Sequence, residues 1–154
     1  MICPLKLAGL AGLCLCPAAW AAPSCTLLST PTIDFGSYSA LDGADDAQGN
    51  LLFSCVPDLL SGPTVSYTIS LSPGSGHPSG FLPRRLVAGA YGLDYNLYTD
   101  LARTQVWGDG SPGTFVSGGS CAAACSVTVY GRIGAGQSVP AAQYRDDVLI
   151  TLSF

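Results

Sequence analysis

Several short stretches of the chain alternate between hydrophobic and polar residues, and clusters of Gly, Pro and Asp separate them. In the clearest stretch, residues 65–72, Val, Tyr, Ile and Leu alternate with serine and threonine. A period of two is what a β-strand with one buried face requires. The same kind of pattern predicts further strands at residues 51–55, 93–98 and 126–133, and a broken first strand over residues 25–35.

The composition favours strands over helices. All ten acidic residues are Asp, and Lys6 is the only lysine, so the chain has no Glu and, beyond its first few residues, no Lys. Helices use both residues heavily on solvated faces. With 19 Gly and 11 Pro, this composition predicts an all-β domain, and the strand pattern predicts a β-sandwich.

The net charge narrows the range of partners. The chain carries a formal charge of -4 at pH 7 and has no cluster of basic residues. Nucleic acids and anionic membrane surfaces attract proteins through such clusters. We therefore expect neither of them as a partner.

The first 21 residues have the features of a secretory signal peptide. Lys6 precedes an apolar run over residues 7–15, and Ala19-Trp20-Ala21 provides the small residues that signal peptidase reads. The run is too short to span a bilayer comfortably. We expect residues 1–21 to be removed and residues 22–154 to form one exported domain.

Four of the seven cysteines lie beyond residue 21, and an even number in an exported domain indicates disulfides. Cys121 and Cys125 are close enough to close a short loop around three alanines, which leaves Cys25 to pair with Cys55. In the chain-entropy model the longer bridge stabilises the fold by roughly 3 to 4 kcal/mol and the shorter one by about 2 kcal/mol. A zinc site is the alternative, although a C-x3-C spacing with one distant histidine fits zinc poorly.

The last residues of the chain are apolar on one face. Val148, Ile150, Leu152 and Phe154 alternate with Leu, Thr and Ser. An apolar strand left uncovered at a sheet edge pairs with other chains, so a sandwich normally covers it with a further strand. Two interpretations stay open at this point. The strand lies at an edge that another chain completes, or it is central or covered by the first segment.

A series of short motifs occurs in order along the expected mature chain. The motifs are Cys25, FGSY at 35–38, GNLLFSC at 49–55, RRL at 84–86, LDYNLYTD at 93–100, WGDG at 107–110, YGRI at 130–133 and YRDDVLITLSF at 144–154. This ordered set resembles the spore coat protein U family, which includes the Csu-type subunits of archaic chaperone-usher pili. The pair Cys121 and Cys125 is additional to the usual bridge of that family.

The resemblance implies an incomplete immunoglobulin-like β-sandwich that lacks its seventh strand. In that family a periplasmic chaperone lends a strand to the open groove, and the N-terminal extension of a neighbouring subunit replaces it in the fibre. Main-chain hydrogen bonds give such a strand its affinity, and alternate side chains set its register. By this resemblance Val148, Ile150, Leu152 and Phe154 border the groove, and the carboxylate of Phe154 is the group that the chaperone anchors.

The function that the resemblance implies is that of a structural pilus subunit. Its partners would be a periplasmic chaperone, an outer-membrane usher and neighbouring subunits. It would be exported through the periplasm to the fimbrium at the cell surface, where it would act in surface attachment or biofilm formation. The alternative is a self-contained secreted spore-coat or carbohydrate-binding module with a complete sandwich.

One departure from the family bears on the position in the fibre. Members that extend a fibre carry alternating residues ahead of the first cysteine, whereas cleavage after Ala21 leaves only three residues before Cys25. Three residues are too few for a strand of the usual five or six, and Pro23 removes one backbone donor. We therefore expect a tip or terminal subunit that accepts a strand and does not donate one.

Catalytic chemistry has little support in the sequence, and we expect no enzyme, no metal site and no small-molecule cofactor. The only histidine, His77, lies in a Gly- and Pro-rich loop, and no G-x-S-x-G motif occurs. Asp45-Asp46 and Asp146-Asp147 suggest acid–base work or calcium. Neighbouring residues on a strand point to opposite faces, however, so we do not expect Asp146 and Asp147 to share a site. Asp42, Asp45 and Asp46 fit better as residues that cap turns in a polar loop.

The aromatic residues raise a sugar-binding alternative. Trp107, with Tyr91, Tyr95 and Tyr98 upstream, would suit a stacking platform on a lectin-like module. Tyr95, however, is in phase with the apolar residues of its predicted strand, which places it in the core. For Trp107 we expect a position that covers a sandwich edge beside a turn.

Overall fold

The structure, a computed structural model, describes residues 22–58 and 62–154, so the expected signal peptide lies outside the described residues. Within these two ranges the chain forms eight strands and no helix, and so no helix that could cross a membrane. The strands are β1 Ser24–Ser29, β2 Asp45–Val56, β3 Val65–Leu71, β4 Arg84–Ala88, β5 Tyr91–Tyr98, β6 Ser117–Cys121, β7 Ala124–Ile133 and β8 Ile150–Ser153.

The strands form two antiparallel sheets. One has the order β1-β2-β7-β5-β4 and the other the order β6-β3-β8. Both sheets supply the core: Leu51 and Phe53 of β2 and Ile69 of β3 are all 0% exposed. The Phe53 ring packs edge-on against Tyr67 of β3, with ring centroids 4.7 Å apart, and so joins the two sheets. This architecture confirms the predicted all-β sandwich.

Two strands escaped prediction because their sequences lack alternation. β4 begins with two arginines, and β6 consists of small residues that pair with β3. β2 is also longer than expected, since its first half is polar and pairs with β7 from Asp45 onward. These three segments are strands because they form hydrogen bonds with a partner strand, and their own sequence pattern does not indicate a strand.

The acidic pair at the start of β2 shows this effect and corrects one expectation. Asp45 and Asp46 lie within the strand instead of capping a turn. The Asp46 carboxylate accepts hydrogen bonds from Arg132 at 2.6 and 2.8 Å and lies 3.2 Å from Arg103. The bond to Arg132 holds the pKa of Asp46 below its usual range. The cross-strand pair of Asp46 and Arg132 thus aligns β2 with β7.

The first segment is broken, as the sequence predicts, and its second half packs on the larger sheet. β1 ends at Ser29, and residues 30–35 continue without regular pairing. Two glycines make room for them. A Cβ atom at Gly49 would lie 2.6 Å from the Cβ of Pro31, and one at Gly131 would lie 2.7 Å from Cζ of Phe35. Because Gly49 on β2 and Gly131 on β7 have no side chains, Pro31, Ile33 and Phe35 can pack closely against the larger sheet.

Within residues 22–58 and 62–154 the cysteines form two disulfides, with the pairing that the cysteine spacing suggests. Cys25 of β1 bonds to Cys55, its direct cross-strand partner on β2. Cys121 at the end of β6 bonds to Cys125 in β7, so this bridge connects the two sheets. The first bridge secures the edge strand β1, and the second holds the tight connection between the sheets.

The close approach at Gly131 gives a test of this packing. We expect Gly131→Ala to lower the free energy of unfolding by about 1 to 3 kcal/mol, because the added methyl group displaces Phe35 and Ile33. Gly134→Ala is the matched control, since its added Cβ has no neighbour closer than 3.9 Å. Urea unfolding of both variants, refolded at a concentration low enough to keep them monomeric, measures both changes. Equal unfolding midpoints for the two variants would contradict the proposed packing.

Candidate functional site

β8 lies at an edge of the smaller sheet and not at its centre. It pairs with β3 on one side, and in residues 22–58 and 62–154 no strand pairs with its other side. The N–H of Ser72 donates to the carbonyl of Leu149 at 2.9 Å. Because hydrogen-bonded pairs alternate along an antiparallel ladder, the N–H and C=O groups of Ile150 and Leu152 point away from β3. The strand therefore presents an open hydrogen-bonding edge.

The regular strand is shorter than the predicted one. β8 covers only Ile150–Ser153, so Val148 and Phe154 lie just outside it. β8 begins at Ile150 because Ile150 pairs with Leu71, the last residue of its partner strand β3. Before that point the chain is held instead by loop contacts, among them the hydrogen bond from Ser75 N–H to the carbonyl of Asp147 at 3.0 Å.

The apolar side chains along this edge are incompletely buried. Val148, Ile150 and Leu152 pack against the core and yet are only half-buried, and Phe154 is 56% exposed. On the adjacent strand β3, by contrast, Ile69 is fully buried. Within the described residues, the side chains of β8 are thus less buried than those of β3, and the backbone groups on the outer side of β8 also have no partner strand. The core is open along this line.

A groove of about 530 Å³ lies beside the start of the open edge, at Ile150 and the four residues before it. Residues 146–150 form one wall, and residues 30–33, which follow β1, form the other. Its floor comes from the larger sheet and includes Leu97 and Val129. We call this space the apolar groove. It separates the first segment of the chain from the last, so the first segment does not cover β8.

A second cavity of about 950 Å³ adjoins the apolar groove. The two share Ile33, Phe35 and Leu86 as well as Asp146 and Asp147. Beyond these shared residues, residues 137–145 line the second cavity, and several of them are polar. Asp146 therefore lies at the boundary between an apolar and a polar region.

The Asp146 carboxylate is held by three neutral donors. It accepts hydrogen bonds from the Tyr95 hydroxyl at 2.7 Å, the Gly76 N–H at 2.8 Å and the Ser75 hydroxyl at 3.0 Å. Burial, followed by the hydrogen bond to Asp146, raises the pKa of Tyr95. These contacts fix the last segment to β5 and to the loop after β3. Asp147, its neighbour, is exposed, as strand alternation predicts.

Behind this wall lies a buried arginine that pattern reading missed. The Arg84 side chain is 0% exposed and donates to the carbonyls of Ser72 at 2.8 Å and Trp107 at 2.7 Å and to Asn96 Oδ1 at 2.9 Å. Burial lowers the pKa of Arg84 to about 10. Arg84 is in phase with Leu86 along β4, but this signal is visible only once the strand is known, and the sequence did not predict the strand. The guanidinium group joins β4, β5 and the loop after β3 into one unit.

The aromatic residues do not form a surface platform. Trp107 is fully buried and donates from Nε1 to the carbonyl of Ile69 at 2.9 Å. Tyr95 is in the core, whereas Tyr91 is 55% exposed. Trp107 thus fills the core and does not cover an edge, because its ring nitrogen finds a backbone acceptor there.

The other candidate polar residues lie apart from the groove or from one another. His77 Nδ1 is 3.1 Å from the carbonyl of Pro83, within an exposed loop. In the described part of the chain no three His, Cys, Asp or Glu residues come together in a way that could hold a metal ion. The polar chemistry at the groove is therefore that of Asp146 and its neutral donors.

Comparison with known proteins identifies relatives in sequence. A family model described as Spore Coat Protein U domain matches residues 13–151. Protein U of Myxococcus xanthus is 33% identical over 131 residues, which span 80% of this chain and 72% of that protein. The family match ends within β8, at residue 151.

Two solved structures are similar in fold. One is titled a CsuC-CsuE chaperone-tip adhesion subunit pre-assembly complex from archaic chaperone-usher Csu pili of Acinetobacter baumannii, with a TM-score of 0.57 and 19% identity. The other is titled a chaperone-tip adhesin complex in CFA/I fimbriae biogenesis, with a TM-score of 0.50 and 12% identity. Each likeness covers 86% of this chain but only 40% and 41% of the matched chains. At these identities they show the fold alone, which is immunoglobulin-like.

The open edge makes a direct prediction for amide exchange in the free protein, refolded from denaturant at a concentration low enough to keep it monomeric. We expect the amides of Ile150 and Leu152 to exchange at least about tenfold faster than those of Ile69 and Leu71 on the central strand β3, because only the latter have backbone acceptors. Hydrogen–deuterium exchange followed by NMR measures each amide separately. Equal protection on both strands would mean that the outer edge of β8 is paired.

Proposed function

The chain belongs to the Spore Coat Protein U domain family, and on this premise we propose that it is a structural subunit of an archaic, Csu-type chaperone-usher pilus. In this proposal another polypeptide inserts a β-strand into the apolar groove and completes the sandwich. The observation that carries the proposal is the open edge of β8, where Ile150 and Leu152 present unpaired backbone groups beside a half-buried apolar face. Strand addition supplies the backbone hydrogen bonds and the apolar cover together.

A strand suits this site better than a small molecule does. Within the described residues, a row of N–H and C=O groups along β8 lacks hydrogen-bond partners, and the inward side chains over the same length are only half-buried. A compact ligand would reach only some of these backbone groups and cover only some of these side chains. An extended segment of five or six residues matches the usual length of a strand and satisfies both. An uncovered edge of this kind otherwise promotes aggregation.

The proposed partners follow from this mode of completion. A periplasmic chaperone would supply the strand first, and a neighbouring subunit would supply it in the fibre after passage through an outer-membrane usher. The titles of the two similar structures describe chaperone complexes of pilus tip subunits, which supports a chaperone as partner. The proposed location is the fimbrium at the cell surface, reached through the periplasm.

The alternative function is a self-contained secreted module of the spore coat or one that binds carbohydrate. The 33% identity to Protein U and the family description keep this alternative in view. It requires a complete sandwich that is stable as a monomer. The half-buried Ile150 and Leu152 favour the incomplete sandwich instead, since a complete one would bury its last strand as fully as β3.

Expression of the full chain in a bacterial periplasm separates these two functions. We expect the chain alone to aggregate or be degraded, because the apolar groove exposes core residues. Fusion of a linker and a strand of alternating Val and Thr to the C-terminus is expected to yield soluble monomer. The matched control carries the same linker and residues in an order without alternation. Accumulation of the unfused chain in the periplasm as a soluble monomer, at the same yield as the fusion, would contradict the pilus proposal and support the self-contained module.

We further propose that the subunit stands at the tip or the end of the fibre, where it would act in surface attachment or biofilm formation. β1 begins at Ser24 and is already paired with β2, so after the expected cleavage Ala22 and Pro23 alone would precede it. We expect N-terminal sequencing of the exported protein to begin at Ala22. A dozen or more residues ahead of Cys25 would provide a donor strand and contradict the terminal position.

A further inference from the structure

The wall of the groove that precedes and includes β8 carries one row of inward side chains. From residue 146 to residue 153, half-buried and exposed residues alternate without interruption. The half-buried row is Asp146, Val148, Ile150 and Leu152, which is one acidic residue followed by three apolar ones. Asp146, Val148 and Ile150 line the groove, and Leu152 continues the row beyond it. A strand laid along this wall would therefore place four alternate side chains opposite this row.

The carboxylate at the end of this row has capacity for a further partner. Among the described residues, Oδ1 of Asp146 accepts two hydrogen bonds, from Ser75 and Gly76, whereas Oδ2 accepts only the bond from Tyr95. All three donors are neutral. In the residues that the structure describes, no arginine or histidine forms an ion pair with Asp146. The buried Arg84 acts on it only at longer range, as part of the electrostatic environment.

Strand insertion would bury this carboxylate further. Covering the groove removes water from the half-buried Asp146 carboxylate, and a carboxylate that loses water without a directly paired cation is destabilising. A leucine or valine on the inserted strand would impose that penalty, and an acidic residue would add repulsion. A lysine or arginine would compensate for it with a charge-assisted hydrogen bond.

We propose that the strand that fills this groove carries a basic side chain at the inward position facing Asp146 and apolar side chains at the inward positions facing Val148, Ile150 and Leu152. The inference rests on the proposed strand insertion and specifies its partner. A strand parallel to β8 would carry the basic residue first, before the apolar ones, and an antiparallel strand would carry it last. Asp146 is thus the specificity-determining residue of the groove.

Synthetic donor peptides bound to the full chain test this partner chemistry. Each peptide has Val at three inward positions and Lys, Leu, Thr or Glu at the fourth, made in both orientations and labelled with a fluorophore. The measured quantity is the dissociation rate of the labelled peptide. We expect the Lys peptide to dissociate about tenfold more slowly than the Leu peptide, and the Glu peptide to be the fastest.

Two conservative variants locate the source of the preference. Asp146→Asn removes the charge and keeps one acceptor oxygen for Gly76 and Ser75, while its NH2 group donates to the Tyr95 hydroxyl, so we expect Lys and Leu peptides to dissociate at similar rates from it. Asp147→Asn is the matched control, because it removes an exposed charge one residue away, and it should retain the preference for Lys. If Asp147→Asn loses the preference for Lys and Asp146→Asn keeps it, the selectivity comes from Asp147 and the proposal is wrong.

The outcomes separate this inference from the proposed function. If every peptide binds and the Lys, Leu and Thr forms dissociate equally, strand insertion stands and the basic position is wrong. If the Thr peptide is as slow as the Lys peptide and Leu is fast, Asp146 selects a neutral donor and the proposed charge is wrong. If no peptide binds in either orientation, both strand insertion and the basic position are contradicted.

Discussion

Backbone polar groups need hydrogen-bond partners, and at β8 this requirement is not met within the described chain. A strand in the middle of a sheet satisfies its N–H and C=O groups on both sides, whereas β8 has only β3. The same line marks the limit of the core, because Val148, Ile150 and Leu152 face inward without full cover. Backbone and side chains are thus incomplete together, which is what the omission of a single strand from a sandwich produces.

The remainder of the structure holds this incomplete edge in place. Arg84 ties β4 and β5 to the loop after β3 through carbonyl and amide acceptors, and Asp146 fastens the last segment to the same loop. The Cys121–Cys125 bridge links the sheets at another point of the sandwich. These contacts are directional, unlike apolar packing, so they preserve the geometry of the wall while part of the core is open.

The sequence predicted those elements whose residues contact the core at every second position. β3 and the second half of β2 were accessible to pattern reading because their apolar residues alternate. β6 was not, since Ser and Gly carry no such signal and the strand exists through its pairing with Val65–Leu71. Asp46 was assigned to a turn for the same reason: its strand position follows from the facing Arg132, which lies far away in the chain.

The fold class, the alternation along the last strand and the family were predictable from the sequence, because composition, period and motif order are all properties of the linear chain. The sequence could not decide whether the last strand is central or exposed at an edge, since that depends on which other strand lies beside it. It also gave no sign that Asp146 continues the inward row of Val148, Ile150 and Leu152 beside an open groove. Only the tertiary structure, which brings residues 30–33 and 146–150 to opposite walls, decided those points.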